Sequence, residues 1–114
     1  MRRKQLKLAS DFAVVLGNRH AQAAEMVLPP GEKEGGPDNR HRGADQWLFV
    51  VSGRGRATLN GKRYPLRERT LLLIERGDTH EIKNTSRREK LITLNLYVPP
   101  AYPAEGEGLP AGKC

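Results

Sequence analysis

Cysteine is almost absent from this chain of 114 residues, because its single copy, Cys114, is the last residue. A disulfide within one chain is therefore impossible, and a metal site built from several thiolates is not expected. Long hydrophobic runs are also missing, since no stretch approaches the roughly 20 apolar residues of a membrane-spanning helix. The basic start Met1-Arg2-Arg3-Lys4 is followed by no apolar segment, so no signal peptide is predicted and we expect a cytoplasmic protein.

Aromatic residues are scarce, with two Phe, one Trp and three Tyr. This scarcity bears on the net charge of +7, which could attract nucleic acid. The basic residues, however, are spread out, alternate with acidic ones as in Glu68-Arg69, and are not interleaved with aromatic side chains that could stack on bases. We therefore expect no nucleic-acid or membrane partner, and interpret the charge as a solvated basic surface with some attraction for anionic substrates.

Short segments separated by turn residues predict one all-β domain, a sandwich or barrel of antiparallel strands. The predicted strands are residues 12–16, 21–28, 46–52, 56–59, 62–64, 70–74, 80–83 and 90–98. The segment 46–52 is apolar on both faces, which predicts a central strand covered on both sides. Asn60-Gly61 predicts a type I′ hairpin turn.

Two parts of the chain are predicted to lack regular structure. Residues 32–38 are too polar and glycine-rich for a strand and are interpreted as a loop. From Pro99 onward the chain is rich in proline and glycine, so residues 99–114 are predicted to be an extended tail behind a barrel of residues 1–98. Tyr102 is the one residue of this tail that could anchor it.

Two histidines and two amides are candidate metal ligands. Asn39 and His41 are two residues apart and would share one face of a strand, while Gln46 and His80 begin other strands. Imidazole suits zinc, iron, copper or nickel, and amide oxygens broaden the choice toward manganese. Each histidine alone also has an ordinary explanation, His41 as a surface residue and His80 as a turn residue.

The spacing of these residues resembles the two motifs of the cupin superfamily. The first motif has His-x-His, three or four residues, Glu, six residues and Gly; here Asn39-x-His41, Gln46 and Gly53 occupy these positions. The second has Gly, five residues, Pro-x-Gly, two residues, His, three residues and Asn. Gly77, His80 and Asn84 match it, whereas Arg69 replaces the first glycine and Glu75 the proline. The resemblance covers roughly residues 20–100 and implies a jelly-roll β-barrel.

Three longer stretches, residues 35–47, 74–82 and 97–102, resemble small single-domain bacterial cupins described as tetracenomycin polyketide synthesis proteins. That resemblance implies a homodimer and a bound divalent metal ion, zinc first, with iron, manganese or nickel as alternatives. The usual ligands of the superfamily are three histidines and a glutamate. Asn39 and Gln46 depart from this set, and such neutral ligands would leave the full charge on the metal.

Two functions remain open at this stage. One is a metal-dependent protein acting on a small oxygenated molecule, keto or aromatic and polyketide-like. The alternative is a non-catalytic module that binds or senses a small molecule and whose metal is structural. Whether the protein is an enzyme is undecided, because no nucleophile–base pair is visible. Asn95 and Tyr97 could line the pocket or face a partner subunit, and Trp47 and Phe49 are expected in the core or an interface.

Overall fold

A computed structural model of the chain describes residues 1–40 and 43–102, with the side chains of residues 37–40 left out of that description. It contains nine strands: β1 (Phe12–Gly17), β2 (Gln22–Leu28), β3 (Lys33–Arg40), β4 (Asp45–Ser52), β5 (Gly55–Leu59), β6 (Lys62–Leu66), β7 (Leu71–Ile74), β8 (Thr79–Asn84) and β9 (Leu91–Val98). No helix that could span a membrane occurs among the described residues.

The strands form two antiparallel sheets packed face to face. The five-stranded sheet has the order β1-β2-β9-β4-β7, and the four-stranded sheet has the order β3-β8-β5-β6. Neighbours in both sheets are mostly distant in sequence, as when β9 lies between β2 and β4. This arrangement confirms the prediction of an all-β jelly-roll barrel.

The core lies between the two sheets and follows the two-residue period of the strands. Along β8, for example, His80, Ile82 and Asn84 are buried and the residues between them are not. The main apolar cluster includes Leu48, Ile82 and Leu91 and fills one end of the barrel. A second, smaller cluster includes Val14, Ala24 and Tyr97.

Two local predictions were wrong. Residues 32–38 do not form a loop, because β3 pairs with β8 through the backbone, Gly35 opposite Glu81 and Gly36 opposite His80. The side-chain pattern of glycine and charged residues does not predict such an edge strand, because the hydrogen bonds between strands are formed by the backbone. The strand containing Trp47 has neighbours on both sides, but the part of the chain that the structure describes leaves its outer face partly open, because Trp47 is 40% exposed.

The hairpin prediction is confirmed. Asn60 and Gly61 have positive φ values of 49° and 83°, as a type I′ turn requires, and they join β5 to β6. The side chain of Asn60 also binds Asp78 and Thr79 and so connects this turn to the start of β8. The two residues that precede His80 are therefore fixed by hydrogen bonds to the turn between β5 and β6.

An N-terminal arm, residues 1–11, covers the outer side of β1 and β2. Its backbone N–H groups at Leu8, Ala9 and Ser10 donate hydrogen bonds to the carboxylate of Glu25, which is 3% exposed. Burial raises the pKa of Glu25, but these hydrogen bonds and the charge of Lys4 outweigh it, so the pKa lies below its ordinary value. The arm is thus attached to the outer side of β2 through Glu25.

Candidate polar site inside the barrel

One contact between the two sheets shows which inward-facing residues lie at the same height along the barrel. The side chain of Asn84 on β8 donates to the backbone oxygen of Leu28, and Leu28 is paired with Leu91 on β9. Each inward step along a strand covers two residues, roughly 7 Å. Two steps from Asn84 reach His80, and two steps from Leu91 reach Asn95. His80 therefore lies at the level of Asn95, toward the end of the barrel opposite Leu91.

Gln46 lies one step beyond Asn95 on the neighbouring strand, where it is paired with Tyr97. Its side-chain Nε2 donates a hydrogen bond of 3.0 Å to Oδ1 of Asn95. The amide of Gln46 is thereby oriented: the NH₂ group faces Asn95, and the carbonyl oxygen, the atom that could bind a cation, lies on the other side. Asn95 in turn donates to Thr93 Oγ1 and to the backbone oxygen of Ala24.

These side chains form a buried polar layer, which we define as Gln46, His80, Thr93 and Asn95. All four residues are at most 4% exposed. Polar groups are costly to bury without hydrogen bonds, and here the amides and the hydroxyl satisfy one another. Imidazole and amide oxygen are both donors for a divalent metal, so the chemistry of His80 and Gln46 fits the predicted ion.

The other two predicted ligands are not placed by the structure. Asn39 belongs to β3, but its side chain is outside the description, and His41 lies wholly outside the described residues. Within residues 1–40 and 43–102, no three His, Cys, Asp or Glu side chains come together in a way that could hold a metal. A site in this region would thus depend on the amide of Gln46 as well as on His80, and the full set of four ligands stays a prediction.

One end of the barrel is covered by residues 99–102, which we call the closing segment. Gln22, 7% exposed at the start of β2, binds this segment through both ends of its amide. Its Oε1 accepts from the N–H groups of Ala101 and Tyr102, each at 2.9 Å, and its Nε2 donates to the backbone oxygen of Tyr102 at 2.6 Å. These contacts attach residues 101 and 102 to the start of β2.

Three aromatic rings pack at this end. The ring of Tyr102 lies 4.8 Å from that of Phe12 and 5.0 Å from that of Tyr97, measured between centroids. Tyr97 is inward-facing and only 2% exposed, next to Gln46 on the neighbouring strand. The cluster Phe12, Tyr97 and Tyr102 therefore lies beside the polar layer and on the same side as the closing segment. The sequence left open whether Asn95 and Tyr97 line the pocket or face a partner subunit. Both face the barrel interior, because they are 0% and 2% exposed.

Sequence reasoning missed two residues near this site. Gln22 lies outside both motifs, and its contacts are about 80 positions away in the chain. Glu34 was assigned to a loop, yet it is paired with Ile82 in β3, at the edge of the sheet, where the residue is exposed. Partial burial of its carboxyl raises its pKa. No signal in the sequence indicated Glu34, because residues 33–36 are charged residues and glycines without alternation.

Three further residues have defined positions. Asn84 closes a turn, because its side chain accepts a hydrogen bond from the N–H of Ser86 and donates one to the backbone oxygen of Glu89. His20 is exposed in the turn between β1 and β2. Glu75 is exposed too, and the neighbouring Arg76 pairs with Asp45 at 3.3 Å.

Comparisons with known proteins extend these observations. The sequence model of the cupin domain matches residues 24–97. The oxalate-binding protein of Thermotoga maritima is 29% identical over 72 residues, which are 63% of this chain and 58% of that protein. The chain thus matches less than two thirds of the length of this relative.

Solved structures share the fold. The protein BH2720 of Bacillus halodurans has a TM-score of 0.80 at 21% identity, over 98% of this chain and 89% of its own. KdgF from a Halomonas species has a TM-score of 0.69 at 19% identity, over 78% of this chain and 77% of its own. A predicted oxalate decarboxylase of Thermotoga maritima has a TM-score of 0.65 at 25% identity, over 78% of this chain and 79% of its own.

Proposed function

Since the chain belongs to the cupin family, we propose that it holds a divalent metal ion in its polar layer and binds a small oxygenated molecule there. The observation that carries the proposal is the burial of His80 and Gln46, at 4% exposure each, on opposite sheets near one end of the barrel. Asn39 and His41 would complete the ligand set. The descriptions of a relative and of a similar solved structure, both from Thermotoga maritima, refer to oxalate and support a small oxygenated ligand.

The proposed ligands are all neutral. Zinc is our first choice of metal, with iron, manganese and nickel as alternatives. Bound to neutral ligands, the ion would supply Lewis-acid chemistry by polarising an oxygen atom of the ligand. The protein itself would orient the ligands and exclude water. Asn95 holds the amide of Gln46 in one orientation. The rings of Tyr97 and Tyr102 would keep solvent from the polar layer.

The class of small molecule has two candidates. The resemblance to tetracenomycin polyketide synthesis proteins, which stays a prediction, favours a keto or aromatic molecule. The oxalate-related names of the relatives favour a small carboxylate instead, to which the net charge of +7 is also suited. Both classes present oxygen atoms that can bind a metal, and a non-catalytic binding or sensing module remains the alternative to an enzyme. A cytoplasmic location likewise stays a prediction.

Metal analysis tests the proposal most directly. We expect the protein, purified without added metal, to contain a divalent ion, and His80→Ala and His41→Ala each to abolish its binding. His20→Ala is the matched control, because His20 is exposed and outside the polar layer. Unchanged metal content in His80→Ala would contradict the proposal. Incubation with keto, aromatic and dicarboxylate compounds then separates the two functions: a raised melting temperature without any product would exclude the enzyme for those compounds.

We further propose that the protein is a homodimer formed through an outer apolar face of the five-stranded sheet. This face consists of Trp47, Phe49, Leu71, Leu73, Leu96 and Val98, which are 37–60% exposed. They lie on the adjacent strands β9, β4 and β7, where Trp47 is paired with both Leu73 and Leu96. The outer face of the other sheet is charged instead, with Lys33 bound to Glu81.

The size of this face suits a second copy of the chain. With roughly 150–250 Å² for each large side chain, the exposed fractions amount to roughly 500 Å². A standard interface buries about 800 Å² on each partner, so these six residues would form its core. The face carries no formal charge, so two copies with a net charge of +7 each can approach there without placing like charges in contact.

The dimer can be tested by sedimentation. The native protein is expected to sediment at twice the 12.7 kDa of one chain, and Leu73→Glu as a monomer. Tyr64→Glu is the matched control, because Tyr64 is exposed to a similar extent, 42% against 38%, on the other sheet. A monomeric native protein, or equal behaviour of the two variants, would contradict this interface.

A further inference from the structure

We propose that the outer face of the four-stranded sheet carries a binding site for the phosphate group of a small phosphate monoester, formed by Lys83 and Arg56. Lys83 precedes the buried Asn84 on β8, and Arg56 precedes the buried Ala57 on β5, so both side chains point outward. This inference goes beyond the proposed function and does not depend on it, because the polar layer lies on the other side of the sheet.

Three cations lie side by side on this outer face. Lys83 is paired directly with Lys33 of β3 on one side and with Arg56 of β5 on the other. Neighbouring strands are about 5 Å apart, so the three side chains start within about 10 Å of one another. Like charges directly opposite one another destabilise a sheet. The row therefore has a cost to stability that a bound anion would remove.

One of these three charges is already balanced within the chain. Lys33 Nζ lies 3.6 Å from Oε2 of Glu81. Glu81 is the only carboxylate at the outward positions of β5, β6 and β8, all of which the structure describes. Among the described residues, the side chains of Lys83 and Arg56 form no hydrogen bond or ion pair. Two adjacent positive charges are thus left without a counter-charge.

The guanidinium of Arg56 points independently to an acceptor on this face. Its Nε is shielded from solvent and has no hydrogen-bond partner within residues 1–40 and 43–102. A buried N–H group without a partner is costly, because it loses its bond to water and gains none. The Nε and one Nη of an arginine can bind two oxygens of the same oxyanion, and a lysine beside them adds a point charge. An oxyanion bound between Arg56 and Lys83 would satisfy both groups.

The number of free charges indicates the class of anion. Two cations match a phosphate monoester, which carries about 1.5 to 2 negative charges at pH 7, better than a carboxylate with its single charge. The free pair is also too short for a long polyanion. The neighbour of Arg56 in the same row is Pro65 of β6, and the neighbour of Lys83 is Lys33 with its own carboxylate. Arg63 is exposed in the next row, out of register with the pair.

Inorganic phosphate and methyl phosphate are the probes that test this site. They are titrated at constant ionic strength into the isotope-labelled full-length chain, and the amide NMR signals are followed. The protein is first dialysed against a chelator, so that a metal in the polar layer cannot capture the phosphate. We expect saturable shifts at residues 56 and 83 with both probes, and at least about tenfold weaker binding of acetate.

Lys83→Gln and Arg56→Gln should each weaken the binding of both probes at least about tenfold, because a charge-assisted hydrogen bond is lost. Both changes also remove like-charge repulsion, so the variants should fold, which their amide spectra show directly. Arg56→Lys is a further variant that keeps the charge but loses the fork, and it should weaken binding as well. Lys62→Gln is the matched control: it removes one positive charge from the same sheet, but Lys62 lies opposite Leu59, next to the hairpin turn. It should bind both probes as the native protein does.

Several results would overturn the inference. One is the lack of saturable shifts at residues 56 and 83. Equal weakening in Lys62→Gln would show only a general attraction to the net charge of +7. Acetate binding as tightly as phosphate would exclude the phosphate class, and binding of inorganic phosphate without methyl phosphate would exclude a monoester. None of these results bears on the metal in the polar layer, which has been removed before the titration.

Discussion

Gly53 is the glycine that follows Gln46 by seven positions in the first motif, and its replacement by alanine tests why a glycine is present. It joins β4 to β5 with a φ of 90°. A Cβ at this position would lie well inside 3.0 Å of the backbone oxygen of Lys90, a separation that real Cβ atoms essentially never show. Alanine would therefore meet two separate costs, a left-handed backbone and a collision with the segment that leads into β9.

Two other glycines separate these costs. Gly61 has a similar φ of 83° but no atom within 4 Å of a Cβ, so Gly61→Ala carries the backbone cost alone. That cost is about 1–2 kcal/mol, from which the reduced entropy of the unfolded chain recovers about 0.4–1 kcal/mol. At Gly55 the φ is not positive, but a Cβ would collide with the backbone oxygen of Lys83 and approach Leu91 to 2.9 Å. Forced shifts of this kind cost about 1–3 kcal/mol.

We therefore expect destabilisation of about 1 kcal/mol for Gly61→Ala, about 1–3 for Gly55→Ala and about 2–4 for Gly53→Ala, which combines both costs. The last value is a large part of the 5–15 kcal/mol that stabilises a typical domain. Urea unfolding followed by circular dichroism measures all three, and a melting temperature lower by about 4 °C per kcal/mol should accompany them. If Gly53→Ala cost no more than Gly61→Ala, the collision with Lys90 would not be the reason for this glycine.

Two further predictions concern buried polar groups. Because hydrogen bonds hold the pKa of Glu25 below its ordinary value of 4.5 despite burial, its contribution to stability is complete above that pH and is lost as the pH falls through the lower, folded-state pKa. Glu25→Gln should therefore reduce the loss of stability on acidification, measured by urea unfolding between pH 6 and 3; identical acid profiles would refute this role. Asn84→Ala removes three hydrogen bonds from a residue that is 0% exposed and should cost about 2–4 kcal/mol, against about 1 kcal/mol or less for the exposed Asn18→Ala in the same assay. Equal costs would contradict the structural importance of Asn84.

The sequence predicted those features whose cause is local. The two-residue period indicated most strands, and Asn60-Gly61 indicated the hairpin, because the required φ values depend on the residues of the turn itself. The position of His80 at the start of an inward-facing strand also followed from spacing. The strand β3 could not be read in the same way, since Gly35 and Gly36 pair with β8 through backbone groups that every residue possesses.

Contacts between distant parts of the chain were beyond the sequence for a different reason. Gln22 binds residues 101 and 102, and no periodicity relates positions so far apart. The exposure of Trp47 and Phe49 could not be predicted for a similar reason. An apolar strand indicates that both of its faces avoid water, but it does not indicate whether the same chain or another one covers the second face. The ligand roles of Asn39 and His41 remain predictions from the motif alone.

The amide at position 46, where cupins commonly have a glutamate, is explained by the direction of the hydrogen bonds in the polar layer. The backbone oxygen of Ala24 can only accept, so the NH₂ group of Asn95 must face it, and the same NH₂ group also bonds Thr93. The Oδ1 of Asn95 is then left facing position 46 and requires a donor there, which glutamine supplies and a carboxylate does not. A glutamate would place two acceptors against each other in a buried layer, at a cost comparable to an unsatisfied polar group. Gln46 and Asn95 therefore form one unit, in which the amide at position 46 is required by the orientation of its neighbour.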